Sequence, residues 1–200
     1  YSQYRNDRTP DASGKSCGGG ILVYIDEKWS INNQIIHNHT DEHCELLTIK
    51  SRPHWLPREF TSVISVSCYA PFTGKSRLKA NANSTSKLIS THVKQLERKY
   101  PEACILVLGD FNQLPLRLDG YYQVVKTPTR HNKILDKCYT KVKDGYKQCH
   151  QLSKLGDSDH FVMQLIPSYT PLSKSKPIHI TRRDYAEENC ENLRACFDTT

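Results

Sequence analysis

Ile105-Leu-Val-Leu-Gly-Asp-Phe-Asn112, ILVLGDFN, is the stretch on which the reading of this chain turns. It begins as an apolar strand and ends on an acid and an amide that a core strand does not need. Successive strand side chains point to opposite faces, so Asp110 and Asn112 are expected on one face and Phe111 on the other. Two readings stay open here. One is a small polar site at the carboxyl end of a buried strand, where mixed α/β folds place ligands; the other is a Gly-Asp-x-Asn turn closed by an Asx side-chain bond.

Just upstream, Leu88, Ile89, His92, Val93 and Leu96 recur at three- and four-residue steps, and Pro101 follows as a stop, which predicts a helix. Before it, SVISVSCYAP (62–71) alternates Val63, Ser65 and Ser67 against Ile64, Val66 and Cys68, a strand that Pro71 ends. Strand, helix and strand therefore form a crossover unit. CELLTIK (44–50) is a further strand, and Gly18-Gly-Gly20 leads through a flexible turn into the strand ILVYI. Beyond Asn112 the chain reads as strands and loops: YYQVV, KILDKCYT, GYKQCHQL and HFVMQLIP. Pro167, Pro171 and Pro177, with SKSK between them, mark a linker, and RRDYAEENCENLRACF reads as a final helix. The expected division is 1–169 for the main domain and 170–200 for the linker and helix.

Two hundred residues with 37% hydrophobic residues suit one domain with a real core. No apolar run approaches the roughly 20 residues of a membrane span, and the N-terminal stretch lacks a signal-peptide core, so a soluble intracellular protein without membrane partners is expected. The eight cysteines are dispersed with no CxxC pair, which points to buried free thiols in a reducing compartment rather than to zinc or disulfides. The sequons at Asn38 and Asn83 are then chance matches. Of the net charge of +7, residues 126–154 hold eight Lys or Arg against Asp136 and Asp144, a local +6 that suits a polyanion such as nucleic acid. Lys126, Arg130, Lys133 and Lys137 are the candidate contacts.

A second polar cluster, Leu155-Gly-Asp-Ser-Asp-His-Phe161, sets acids beside a histidine just before a strand. A carboxylate near an imidazole can hold the ring ready to donate to a phosphate oxygen. Tyr69 and Asp136 stand at or near strand ends as well. Tyr at a strand end, GDFN after a helix, LD in a strand and SDH before a final strand, in this order, resemble the endonuclease/exonuclease/phosphatase superfamily. The segments SGKSCGGGILVYI, RPHWLPREFTSVISVSCYAP, PTRHNKILDKCYT and LGDSDHFVMQLIPSYTPL look like the endonuclease domain of non-LTR (LINE-type) retrotransposons of animal genomes.

The resemblance implies an α/β fold, a four-layer α/β/β/α sandwich, with its first strands and helix missing. It implies Asp110 as the group that orients and deprotonates water, Asn112 and Tyr69 on the scissile phosphate, His160 on a non-bridging oxygen, and Asp136 as the carboxylate that orients His160. Asp159 would help hold a catalytic Mg²⁺, or Mn²⁺ in its place. The family's main metal-binding Glu lies upstream of the GGG-containing strand, and none of Glu27, Glu42, Glu45 and Glu59 stands in its Glu-Thr context. Tyr69-Ala-Pro-Phe72 lacks the Asn that apurinic enzymes carry after YxP. The expected function is a Mg²⁺-dependent DNA endonuclease that nicks target DNA for retrotransposition. It would act in the nucleus, with a reverse transcriptase downstream and no obligate oligomer. A catalytically inactive nucleic-acid-binding remnant is the alternative, and an inositol or lipid phosphatase ranks third.

Overall fold

The computed structural model describes residues 1–9, 11, 18–71, 78–168 and 186–198. The chain divides into two compact units, Tyr1–Thr170 and Pro171–Thr200. In the first, the strands are β1 (Ser2–Asn6), β2 (Ile21–Ile25), β3 (Asn33–Thr40), β4 (Glu45–Ser51) and β5 (Ser62–Tyr69). Helix α1 (Leu78–Lys99) follows, then β6 (Ala103–Asp110), β7 (Tyr122–Gln123), β8 (Asp136–Thr140), β9 (Tyr146–Lys154) and β10 (Phe161–Pro167). The second unit contributes α2 (Glu187–Asp198), whose four N-terminal neighbours in the expected helix, residues 182–185, lie outside the described residues, as do Pro171 and Pro177.

A six-stranded sheet of order β3-β4-β5-β6-β8-β7 forms the centre. Only β5 and β6 in it pair in parallel, because α1 carries the chain back across one face; the other pairs are antiparallel. Ile89, Val93 and Leu96 of α1 are buried against Leu46, Ile64, Val66, Ile105 and Val107. Burying each such side chain contributes roughly 1.5–3 kcal/mol. The alternation of β5 is met: Ile64, Val66 and Cys68 face α1, while Val63, Ser65 and Ser67 belong to the opposite face.

That opposite face is covered in part by two separate antiparallel pairs, β1-β2 and β10-β9. Ile25 of β2 packs on Leu47 and Ile49, joined by Tyr4, Ile21 and Val23. Asn6 fastens the end of β1 by donating its amide to the carbonyls of His39 and Leu46, each at 3.0 Å. A cavity of about 1030 Å³ runs over the rest of the face, bounded by β2, Trp55, Phe60, Leu106, Leu108 and Tyr146.

Several expectations are corrected. β1 and β3 were not anticipated, because SQYRN and NQIIHNHT carry little apolar alternation; pairing with β2 and β4 makes them strands. YYQVV is ordered as a strand only at Tyr122–Gln123, and KILDKCYT only from Asp136. Neither sequon lies in a loop: Asn38 is in β3, and Asn83 is in α1 with Thr85 buried. Cys44, Cys68, Cys104, Cys138 and Cys149 are free thiols, and Cys44 and Cys68 lie 4.0 Å apart, sulfur to sulfur. Among the described residues no helix is long and apolar enough to cross a membrane.

Candidate active site

Four neighbouring strands bring four polar side chains into one row. Glu45 is the register partner of Tyr69, Tyr69 of Asp110, and Asp110 of Asp136. Paired residues on adjacent strands point to the same face, so the row crosses β4, β5, β6 and β8 at the carboxyl ends of the two parallel strands. It lies on the face opposite α1, at the end of the large cavity, which Tyr69 and Asp110 help to line.

Gly109 makes the row possible. Its φ is +139°, and a β-carbon there would collide with the carbonyl of Cys68 on the neighbouring strand. Strand β6 then stops at Asp110, so the alternation argument does not extend to Asn112. Asn112 instead adopts the left-handed conformation, φ 46°, uncommon for a residue other than glycine and found where the surroundings enforce it. Its N–H donates to Asp110 Oδ1 at 2.9 Å, and its side-chain amide donates to the Ala70 carbonyl at 2.8 Å. The Asx-turn reading of GDFN is met, and the turn sets the acid and the amide side by side at the strand end. Phe111 between them is fully buried and meets Tyr139 edge-on at 5.6 Å.

Burial raises the Asp110 carboxyl above its usual range, and the nearby Asp136 carboxylate adds to this; the Asn112 N–H, His160 and Arg130 act against it. A carboxylate moved upward in this way is a better proton acceptor near neutral pH. His160 enters from the loop before β10, with Nδ1 2.7 Å from Asp136 Oδ2. That bond fixes the ring orientation and leaves Nε2 for another partner.

Thr129, fully buried, builds this arrangement and was not singled out in the sequence. Its hydroxyl oxygen accepts the N–H groups of Leu135 at 2.9 Å and Asp136 at 3.0 Å, and its carbonyl accepts that of Phe161 at 2.8 Å. One residue thus ties the strand that carries Asp136 to the strand that follows His160. A threonine in a polar loop carries no periodic signal, so only the fold exposes this part.

Glu45, set aside in the sequence because it lacks the Glu-Thr context, turns out to be part of the row. Its side chain has no exposed surface, and it is ion-paired with Arg8, whose side chain is 6% exposed. Its second oxygen accepts the Gly20 N–H at 2.6 Å. Gly19 has φ +85°, and a β-carbon there would collide with the Arg8 guanidinium and the Glu45 carboxylate. The triple glycine is therefore more than a turn, since its backbone wraps this ion pair. Arg8 Cζ stands 5.4 Å from the centre of the Tyr69 ring. Burial raises the Tyr69 phenol above its ordinary value, with the Arg8 charge pulling it back down.

The remaining candidates divide. Asp159 pairs with Arg130 at 2.5 Å and lies 3.9 Å from His160 Nε2. Lys126 and Lys133 are exposed. Lys137 donates to the Leu114 carbonyl at 3.2 Å and stands over the Phe111 ring; burial lowers its ammonium from the ordinary value. The Asp110 carboxylate acts in the other direction on the same ammonium. For the magnesium ion that the resemblance implies, no three His, Cys, Asp or Glu side chains among the described residues stand together as ligands. Asp159 is taken by Arg130, and Glu45 by Arg8.

No protein-family model matches the sequence, and no curated protein is significantly similar to it. Solved structures do resemble the fold. Truncated Caenorhabditis elegans TDP2 aligns with a TM-score of 0.55 at 13% identity, covering 82% of this chain and 74% of that one. A second C. elegans TDP2 structure gives 0.52 at 12% identity, covering 82% and 56%. At such identity the likeness speaks for the fold alone: a mixed α/β arrangement on a large central sheet with few helices, as in the TDP2 structures.

Proposed function

We propose that this chain carries the phosphate-handling part of a DNA-cleaving phosphodiesterase. The observation that carries the reading is His160, held on Asp136 at 2.7 Å, with Asp136 the register partner of Asp110. In this reading Asp110, its carboxyl raised by burial, accepts the proton of the attacking water. His160 holds a proton at Nε2 against a non-bridging oxygen, while Tyr69 and Asn112 orient the phosphate. The fold-level likeness to TDP2 supports a phosphodiesterase or nuclease in general. The finer assignment, target-DNA nicking by a retrotransposon endonuclease in the nucleus, with residues 170–200 leading toward a reverse transcriptase, rests on the local sequence resemblance.

One observation favours a second reading, a nucleic-acid-binding remnant without turnover: the described residues offer no shared ligand set for a metal. Nicking of supercoiled plasmid by the 200-residue chain, with and without Mg²⁺ or Mn²⁺, separates the two. The proposal expects nicking that His160→Ala abolishes. DNA that is bound and released by salt, yet never nicked, refutes it in favour of the second reading.

A further inference from the structure

Resting on the phosphodiesterase reading, we propose that Arg8 is a positioning residue of the site, an internal cation held by Glu45 and the triple glycine that keeps Tyr69 set for the phosphate. Three independent features converge on it. The guanidinium is almost wholly buried and meets the carboxylate of Glu45, which is itself fully buried. It stands over the Tyr69 ring, 5.4 Å from the centre, a distance at which a cation is attracted to the ring face. The backbone is shaped around it, because Gly19 has no room for a side chain and the Gly20 N–H closes the remaining side of Glu45.

The electrostatics give this arrangement a purpose. The row places three carboxylates, those of Glu45, Asp110 and Asp136, on the same face as Tyr69, and a phosphodiester approaching Tyr69 would come within the field of their negative charge. Arg8 neutralises the one nearest the β1-β2 side, and on the far side Arg130 and His160 face Asp110. Stability alone does not account for the pair. Replacing a buried ion pair with apolar groups of similar size is often neutral or stabilising, so its presence beside the row calls for a role at the row. Arg8 acts through Tyr69 and does not reach the reacting atoms.

The test uses a neutral exchange, Arg8→Gln with Glu45→Gln, which keeps hydrogen-bonding groups on both sides and leaves no uncompensated charge. A paired variant, Arg8→Met with Glu45→Met, serves if the amide pair does not fold, and circular dichroism establishes folding. Affinity for a fluorescein-labelled DNA duplex is measured in two backgrounds, Tyr69 intact and Tyr69→Ala. The expected result is a roughly fivefold weaker Kd with Tyr69 present and no further weakening with Tyr69 removed, the non-additivity of residues acting as one unit. Equal weakening in both backgrounds, or none in either, overturns the inference. Arg8→Lys, which keeps the charge but loses the planar fork, is expected to fall between.

The two readings fail separately. Plasmid nicking that depends on His160 but shows no coupling between the pair and Tyr69 leaves the function standing and removes the inference. If the unsubstituted chain binds no DNA, the proposed function falls, and the Tyr69 ring resonances, assigned by Tyr69→Phe, decide the inference. Their displacement in the folded neutral variant, partly restored in Arg8→Lys, supports it; unmoved resonances overturn it.

Discussion

Replacing Thr129 with valine exchanges one hydroxyl for a methyl group at constant shape. The side chain is fully buried, and its oxygen accepts two backbone N–H groups, from Leu135 at 2.9 Å and Asp136 at 3.0 Å. Each donor left without a partner in the interior costs roughly 1–3 kcal/mol. The Asp136 peptide is partly open and can recruit water, so the sum is taken near the lower end, about 3 kcal/mol. For a unit of this size that corresponds to a fall in Tm on the order of 6–12 °C. Urea denaturation of the intact chain measures it, with Thr129→Ser as the control that retains the acceptor. Because the same two bonds seat Asp136, the valine variant is also expected to loosen His160 and to reduce nicking beyond what instability explains. A valine variant within 0.5 kcal/mol of the unsubstituted chain would refute the reasoning, since it would mean that Thr129 does not organise the Asp136–His160 pair.

Three further outcomes are expected. His92 is bonded to Thr48 at 2.9 Å and its ring lies 4.3 Å from that of His37, tilted by 32°, and burial, with the charges of His37 and His39, lowers its pKa to about 4. The unfolded chain therefore binds the extra proton first, so stability is full above about pH 6.5 and falls as pH drops toward 4. Solvent screening limits the loss to on the order of 1–2 kcal/mol, seen as a lower urea midpoint at pH 5 than at pH 7, and His92→Gln flattens it. Gly19→Ala, which drives a methyl group into the Arg8–Glu45 pair, is expected to lower the thermal midpoint more than Gly18→Ala, where a β-carbon meets nothing within 4 Å and only the positive φ opposes it; equal midpoints would remove the argument for the glycine wrap. Lys126→Ala and Lys133→Ala should each reduce the slope of log affinity for DNA against log salt by about 0.9 if each meets a phosphate, whereas Lys137→Ala leaves the slope and lowers stability.

The parts of this protein legible in its sequence are those written in local periodicity and in residues with strong backbone demands. Leu88, Ile89, Val93 and Leu96 announced α1, the alternation of β5 announced its two faces, and Gly109-Asp-Phe-Asn112 announced a strand that ends on an acid and an amide. Each depends on neighbours within a few residues, where 3.6- and 2-residue periods and glycine's freedom act directly. What the tertiary structure alone decided rests on residues far apart in the chain. β1 and β3 have polar sequences and become strands only by pairing. Arg8 and Glu45 are separated by 37 residues, and neither has a pattern that names the other. Lys137, one basic residue among eight in its segment, is distinguished by the Leu114 carbonyl it bonds and the Phe111 ring it stands over. Sheet register sets Glu45, Tyr69, Asp110 and Asp136 in one row, and register is a property of strands meeting across the fold, which no single stretch of sequence contains.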